Sequence, residues 1–543
     1  MKILNKIGSF SLIPFLSYIF TFISIIVTFI VTRAIGVSAI TTIELLVVVF
    51  LVDSLFGVSK FLANGIKFLL LLLLNIQIFV FLFSGTYLTL IMVTNLASIE
   101  ALSGKAGLYI PAALLVLIFS FIPVRKLKIG RKLSFLLFGV ALIADLVLLS
   151  VTQLAYSPAY NLYYLSRDIK TKYETSQRIK KLSNTNSNTS SDFYQGAIED
   201  GISKPEDLPS NPNIILIFAE GLSQNIIDDP RNIMPNLANF QKESIDFDNY
   251  FNHTFATYRG LQGQLYSGYQ LGDQDPNKLV SLQSILKGAG YATTFINSEP
   301  KNKTFTDYLN DFEFDNLVTT DQLNGPAETI SDKDLYTLLW EEVETQAKKE
   351  QPFFISTYSF GTHISLDSPD DKFEDGSDVL LNRFHNLDSQ FGNFLKKFNS
   401  SSISDNTILV FTTDHATFVE NDFKKSFSDY QRNHGMVDEI PFYIYYKGVD
   451  SKIIDVQGRN SLSLAPTILD YLDISDENYF LGNSLFSDSD SVFDTTFVSE
   501  NTILSTNKLT DGSHLTKLES NQVDEIKKKL ELYYASKLHE SKD

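Results

Sequence analysis

The chain contains no cysteine in 543 residues, only seven histidines, and fewer cationic side chains (45 Lys and Arg) than acidic ones (63 Asp and Glu). Without cysteine there is no disulfide, no thiolate nucleophile and no thiolate ligand, so a divalent metal is expected to be held by oxygen and imidazole. The formal charge of −18 opposes binding to a phosphate backbone, and nucleic acid is not expected as a partner. The shortage of positive charge is uneven. Up to Tyr156 there are eight lysines, three arginines and four acids, a net charge of about +7, which leaves about −25 for the remainder.

Long apolar runs are abundant in that first part. Four of them, 10–32, 39–59, 107–124 and 133–156, approach the roughly 20 residues that cross a bilayer, and a fifth from Phe68 to about Asn95 is longer than one crossing needs. Five spans are expected. No single short run with a small-residue cleavage site precedes four others, so the helices should remain in the protein. Of the eleven Lys and Arg here, nine fall in loops on one side, against Arg33 and Lys105 on the other. That asymmetry puts the N-terminus in the cytoplasm and, after an odd number of spans, everything beyond Tyr156 outside the cell. An exported domain without disulfides suits the surface of many Gram-positive bacteria better than a periplasm. Glu44, Asp53 and Asp145 are costly in such a setting, and no role is assigned to them.

Residues 157–182 carry apolar and aromatic positions at helical spacing among Lys and Arg, consistent with a helix on the membrane surface or a solvated linker helix. The tract 183–191, "SNTNSNTSS", reads as a polar tether. Beyond it, near-continuous apolar runs at 213–218, 292–297, 352–360, 407–414 and 440–448 alternate with helical patterns at 234–243, 279–289, 333–349 and 383–398. This alternation predicts a mostly parallel sheet covered on both faces, an α/β three-layer domain. The expected division is a transmembrane domain 1–156, a juxtamembrane helix and linker 157–211, an extracellular catalytic domain 212–510, and a C-terminal helix and tail 511–543.

Ligands of such sheets bind beyond the carboxyl ends of the strands. "NIILIFAEG" delivers Glu220 there, and "TILVFTTDH" delivers Asp414 and His415. Together they offer carboxylate and imidazole ligands to one divalent cation, with a position left open for substrate and Thr257 of "ATYRG" as a further ligand.

"PNIILIFAEG", "MPNLANFQKESIDFDNYF", "GQLYSGY", "PFFISTYSFGTH", "NTILVFTTDH" and "LAPTILDYLDI" resemble, in order, the landmarks of the sulfatase and alkaline-phosphatase superfamily. With the apolar spans added, the chain resembles its membrane-anchored branch, which includes lipoteichoic acid synthases and phosphoethanolamine transferases. Sulfatases place a Cys/Ser-x-Pro-x-Arg motif where this chain has "ATYRG". The resemblance therefore implies a threonine nucleophile, Thr257, activated by a divalent metal held by Glu220, Thr257, Asp414 and His415; Mn is favoured, with Zn or Mg as alternatives. It also implies His363 as a proton-handling or phosphate-binding group, and His434 and Arg259 as substrate-binding groups. The implied reaction moves glycerol phosphate from phosphatidylglycerol, a membrane phospholipid donor, onto a cell-surface glycan, glycolipid or teichoic-acid-type polymer. The alternatives are phosphoethanolamine transfer, hydrolysis of an extracellular phosphodiester, and non-catalytic polymer binding. Two departures stand out: Gly221 follows the metal-binding glutamate where the synthases usually carry serine, and "ATFVEND" lacks a glycine directly after Asp414 and His415.

Overall fold

The computed structural model describes residues 13–94, 106–185, 208–272, 277, 279–364, 366–432, 434–489, 491–499, 502–507 and 518–540. It divides into two compact units, Met1–Thr171 and Lys172–Asp543. The first contains α1 (Leu16–Thr32), α2 (Ile35–Leu55), α3 (Lys60–Ser84), the short α4 (Leu90–Thr94), α5 (Ala106–Phe121) and α6 (Arg131–Val151). The division falls inside α7 (Pro158–Thr185). Among the described residues α2, α3 and α6 are long and apolar enough to cross a membrane, while α1 and α5 are shorter apolar helices. The expected tether lies, from residue 186 on, outside the described residues.

Charged side chains within the first unit close chain ends. Lys67 donates from Nζ to the carbonyls of Ser120 (2.8 Å) and Ile122 (2.5 Å), where α5 ends. Asp53 accepts from the Leu127 amide at 2.5 Å and from the Ser134 hydroxyl. Glu44 accepts from the Ser157 hydroxyl and the Ala159 amide (3.2 Å), at the start of α7. In an apolar medium an unpaired backbone group costs several kcal/mol, so these residues relieve the helix termini of that cost.

The second unit is an α/β domain. In chain order it comprises β1 (Asn213–Ala219), α8 (Gln224–Ile227), α9 (Pro235–Lys242), β2 (Ile245–Asp248), α10 (Thr257–Tyr266), α11 (Leu282–Gly288), β3 (Ala292–Ile296), α12 (Lys303–Asn310), β4 (Asn316–Val318), α13 (Asp332–Gln346) and β5 (Phe353–Tyr358). There follow α14 (Val379–Asn399), β6 (Thr407–Thr413), α15 (Asn421–Ser426), β7 (Phe442–Tyr445), β8 (Lys452–Asp455), α16 (Leu464–Tyr471), the hairpin β9 (Thr496–Ser499) and β10 (Thr502–Ser505), and α17 (Ser520–Glu540). Eight strands form one sheet in the order β4-β3-β5-β1-β6-β7-β2-β8. The five expected strands are all present. The sheet is mixed, because β7 runs antiparallel to both β6 and β2 while every other pairing is parallel.

Every residue of β1 is buried, and its side chains alternate between two cores. Ile214, Leu216 and Phe218 face a cluster with α10, α11, α12 and α16; Ile215, Ile217 and Ala219 face one with α9, α13 and α14. Burying each large aliphatic side chain contributes about 1.5–3 kcal/mol, which explains why a central strand of "NIILIF" composition takes the middle of three layers.

The second core is tied by a cap reaching across helices. The N-terminus of α9 has no side-chain cap of its own. Asp388 on α14 supplies one, accepting from the amides of Leu237 (2.7 Å) and Asn236 (3.1 Å) and from the Asn236 side chain (2.8 Å). Asp388→Ala strands these donors and should cost about 2 kcal/mol. Denaturant unfolding followed by the fluorescence of Trp340, the chain's one tryptophan and a member of that core, measures it; an unchanged midpoint contradicts the cap.

Candidate metal and nucleophile centre

Because β1 and β6 pair in register up to Ala219 and Thr413, the next residues, Glu220 and Asp414, leave the sheet side by side. Glu220, Asp414 and His415 are fully buried, and each offers a ligand atom within 4.8 Å of the others. His415 Nε2 lies 3.4 Å from Glu220 Oε1 and 3.5 Å from Asp414 Oδ2. The opposite edges of these groups are engaged. The Gly221 and His415 amides donate to Asp414 Oδ1 at 2.8 and 2.7 Å, and His415 Nδ1 lies 2.7 Å from the Ala416 carbonyl. That contact calls for a proton on Nδ1 and leaves the Nε2 lone pair facing the carboxylates.

Among the described residues Glu220 Oε1, Asp414 Oδ2 and His415 Nε2 have no hydrogen-bond partner. Three buried, unpaired acceptors converging on one point fit a divalent cation, and the oxygen–imidazole set suits Mn, Mg or Zn. Gly221 makes this approach feasible. Its φ of +48° is poor for a side chain, and a Cβ there would sit 3.2 Å from the His415 ring.

Thr257 meets the same centre from α10. Its hydroxyl donates to Glu220 Oε2 at 3.0 Å, and Tyr358, the last residue of β5, donates to the same oxygen. Ala256, just before it, is held at φ 84°, ψ 152°, a region that only glycine occupies easily and that costs about 1–3 kcal/mol. The strained residue turns the chain sharply, so that Thr257 opens the helix beside amides that favour an anion. Helix and strand end are locked together: the first turn presses so closely that a Cβ on Gly260 would lie 2.2 Å from the Asp414 carbonyl oxygen. Gln264 Nε2 adds hydrogen bonds to the Thr413 and Asp414 carbonyls, at 2.8 and 3.3 Å.

The other sequence-derived residues divide. His363, in the loop after β5, interacts electrostatically with Glu220 and His415; its ring stacks on Phe360 at 4.6 Å and its buried Nδ1 has no hydrogen-bond partner among the described residues. Burial lowers its pKa, which favours the neutral ring. Arg259 is buried in the first turn of α10 rather than spread over the surface. His434 stands apart, accepting from the Met436 amide at 3.3 Å with its ring 6.4 Å from Phe497, and no hydrogen bond or ion pair among the described residues joins it to the cluster.

Three contributors escaped the sequence reading. Tyr358 is marked only by a hydroxyl at the end of an apolar strand. Arg383, buried on α14, donates to the His363 carbonyl (2.5 Å) and to Glu420 (2.8 Å), tying the loop after β5 to the segment after β6. Glu299, three residues beyond β3, is buried and interacts electrostatically with Glu220 and Asp414.

Residues 212–474 match the family described as Sulfatase. Lipoteichoic acid synthase 2 of Bacillus subtilis (strain 168) is 24% identical over 423 residues, 68% of this chain; the chain spans 64% of that protein's length. The crystal structure of the lipoteichoic acid synthase LtaP from Listeria monocytogenes superposes with a TM-score of 0.51 at 20% identity, over 64% of this chain and 97% of that one. The integral membrane lipooligosaccharide phosphoethanolamine transferase EptA of Neisseria meningitidis gives 0.50 at 15% identity, over 86% and 96%. At these identities the structural likenesses speak for the fold.

The protonation of the cluster yields a pH signature. Burial tends to raise Glu220, but the charge of His415 holds it down to about 2; burial and the charge of Glu220 lift Asp414 to about 7. Burial tends to lower His415, yet Asp414 and Glu220 raise it to about 9. A cation needs both carboxylates ionised and Nε2 bare, so it displaces these protons. Affinity for Mn should therefore rise by about tenfold per pH unit between 7 and 9, rise more steeply below 7, and level off above 9. Calorimetric titration across this range checks it, and a flat profile counts against the cluster as the site. The strain at Ala256 gives a second test: Ala256→Gly should raise stability by about 1 kcal/mol, the relief exceeding the glycine entropy cost, and Ala256→Val should lower it. Thermal unfolding midpoints of the two variants should move in opposite directions.

Proposed function

We infer that this chain, a membrane-anchored member of the sulfatase family whose family domain spans residues 212–474, is a phosphotransferase that moves a phospho-head group from a membrane phospholipid to a hydroxyl-bearing acceptor. The observation that carries this reading is the Thr257 hydroxyl, held at a helix N-terminus on the second carboxylate oxygen of Glu220, a member of a three-residue cluster able to hold a cation. A water-activating hydrolase has no need of a side-chain alcohol placed there. The similarity to a lipoteichoic acid synthase supports phosphatidylglycerol as donor and glycerol phosphate as the transferred group. A cell-surface glycan, glycolipid or teichoic-acid-type polymer is the acceptor. The apolar runs and the loop charges support five spans with the catalytic domain outside the cell, where such acceptors lie. Anchoring keeps that domain at the lipid surface and raises the effective concentration of donor.

A bound divalent cation, Mn by preference, would be held by Glu220, Asp414, His415 and Thr257; it neutralises charge on the phosphoryl oxygens and favours the ionised threonine hydroxyl. Thr257 Oγ1 attacks phosphorus, and the bond from phosphorus to the diacylglycerol oxygen breaks. The neutral ring of His363 takes the proton that Thr257 Oγ1 loses and delivers it to the diacylglycerol oxygen. An acceptor hydroxyl then attacks the phospho-threonine diester, the bond from phosphorus to Thr257 Oγ1 breaks, and the acceptor's proton passes through His363 to the released Thr257 oxygen. Tyr358 keeps Glu220 in place through both steps, and the amides of α10 stabilise the anionic phosphoryl group.

Intact-mass analysis of the full-length protein, incubated with Mn and either phosphatidylglycerol or phosphatidylethanolamine, tests the reading. The expected result is a glycerol-phosphate adduct on the wild type and none on Thr257→Ala. An ethanolamine-phosphate adduct replaces the donor and keeps the mechanism. Turnover of donor by metal-loaded protein without any adduct, equal in Thr257→Ala, establishes a hydrolase instead.

A further inference from the structure

The turn that follows His415 is clamped at both ends and presents an aromatic ring between the clamps. The Thr417 amide donates to the Ser223 hydroxyl at 3.1 Å, its own hydroxyl accepts from the Ser223 amide at 2.9 Å, and Arg383 holds Glu420 at 2.8 Å. Val419 packs against the second apolar core, and its neighbour Phe418 turns the other way, over the cluster. The Phe418 ring lies 5.1 Å from that of His415 and 4.8 Å from that of Phe255, which is itself 4.9 Å from His415. Phe255 is buried and Phe418 half-buried, and among the described residues neither is a member of an apolar core.

The fold has little use for the second ring. Phe255 already covers one side of His415, and a ring left half in water forgoes part of the roughly 1.5–3 kcal/mol that full burial contributes. A rigid aromatic face beside a buried polar centre suits a ligand that has an apolar face of its own and hydroxyls at its edge. Charge narrows the choice further. The chain beyond Tyr156 carries about −25, and between residues 416 and 440 five acids stand against three cations. Of the five arginines beyond residue 186, four (Arg231, Arg383, Arg432 and Arg459) are paired with carboxylates, and Arg259 shares the first turn of α10 with Thr257. An acceptor made of glycerol phosphate units brings a further phosphate, three carbons from its attacking hydroxyl, into this acidic field. The guanidinium groups that could bind it by paired hydrogen bonds already serve carboxylates. An uncharged sugar meets no such repulsion.

We propose that Phe418, backed by Phe255, is the platform on which an uncharged sugar ring of the acceptor rests, and that the acceptor is a neutral glycan or glycolipid rather than a growing glycerol-phosphate chain. The proposal rests on the reading of this centre as a head-group transferase. The C–H face of the sugar lies on Phe418 while one of its hydroxyls attacks the phospho-threonine diester. The bond from phosphorus to Thr257 Oγ1 breaks, and the hydroxyl proton passes through His363 to the released threonine oxygen. The product now carries a phosphate and is repelled, so each acceptor hydroxyl receives one head group and no chain grows from it. Phe418 stands in "ATFVEND", one of the two stretches in which this chain departs from the lipoteichoic acid synthases, in keeping with an acceptor of its own.

The test uses the full-length, Mn-loaded protein in a detergent without a sugar head group. The Thr257 adduct is formed with phosphatidylglycerol, the donor is removed, and either a neutral alkyl disaccharide or an oligomer of glycerol phosphate is added. Intact mass follows the loss of the adduct. In the wild type the disaccharide should resolve it about tenfold faster than the oligomer, and salt near 1 M, where the screening length falls to about 3 Å, should narrow the gap by raising the oligomer's rate. Phe418→Ala should slow resolution by the disaccharide about tenfold, and Phe418→Trp, which restores an aromatic face, should stay within about threefold of wild type. An oligomer that matches or outpaces the disaccharide in the wild type overturns the proposal without recourse to any variant. So does a Phe418→Ala protein that resolves with the disaccharide within about twofold of wild type, and so does one in which adduct formation from the lipid is slowed as much as resolution, since the ring then serves the donor. Absence of any wild-type adduct counts against the transfer reaction instead. Calorimetric titration of the disaccharide then decides the platform alone: binding about tenfold weaker in Phe418→Ala keeps it, and equal binding removes it.

Discussion

Three lone pairs buried at one point are the constraint around which the second unit is organised. Withdrawing a carboxylate from water costs several kcal/mol, and two of them held close together repel by a few kcal/mol more. Glu220 and Asp414 bear that cost beside His415 with no other hydrogen bond on the facing atoms. The remaining contacts keep the three from relaxing apart. Amides of Gly221 and His415 grip Asp414, Tyr358 and Thr257 grip the far oxygen of Glu220, and the Thr362 hydroxyl holds the Glu220 carbonyl. A protonated His415 relieves the arrangement in part; a divalent cation relieves it fully.

The sheet makes this convergence possible because parallel neighbours bring equivalent positions to one edge. Residues one step beyond β1 and β6 therefore meet without a long loop to steer them, and the strands themselves are stiffened by two apolar cores. Thr257 is positioned differently. Thr257 sits at the start of a helix, and its place is fixed by a strained Ala256 on one side and by the pressure of Gly260 on the Asp414 backbone on the other. Strain of 1–3 kcal/mol persists only where neighbours over-determine the backbone, and α10 meets that condition through its buried face and the Gln264 hydrogen bonds to the end of β6.

What the sequence made legible follows from the same physics. The central strands β1, β3, β5, β6 and β7 were readable because both their faces are buried and their composition is nearly continuous in apolar residues. The flanking strands β2, β4 and β8 were not, since they have only three or four residues and β8 is largely exposed. The direction of β7 was unreadable, because periodicity carries no information on polarity. Glu220, Asp414 and His415 could be picked out as polar residues ending apolar runs. Glu299 ends no such run; it follows β3 across "NSE", and its place depends on a register shared by four strands. Arg383 sits among apolar helix positions and shows its role only once two loops are seen to close on it.

The charged residues of the apolar helices obey a related rule with a different outcome. In an exposed loop a carboxylate or ammonium group at a helix end contributes little, because water competes for the same hydrogen bonds. Where water is excluded the competition disappears, and one side chain that satisfies two backbone groups relieves several kcal/mol. Lys67 serves two such groups at the end of α5, and Asp53 serves one, the Leu127 amide between α5 and α6, together with the Ser134 hydroxyl. Glu44 does so for the first residues of α7, the helix through which the chain passes from its apolar part to the catalytic unit. Lys67, Asp53 and Glu44 in the first unit thus fix chain ends, whereas Glu220, Asp414 and His415 in the second converge at one edge of the sheet where a cation can use them.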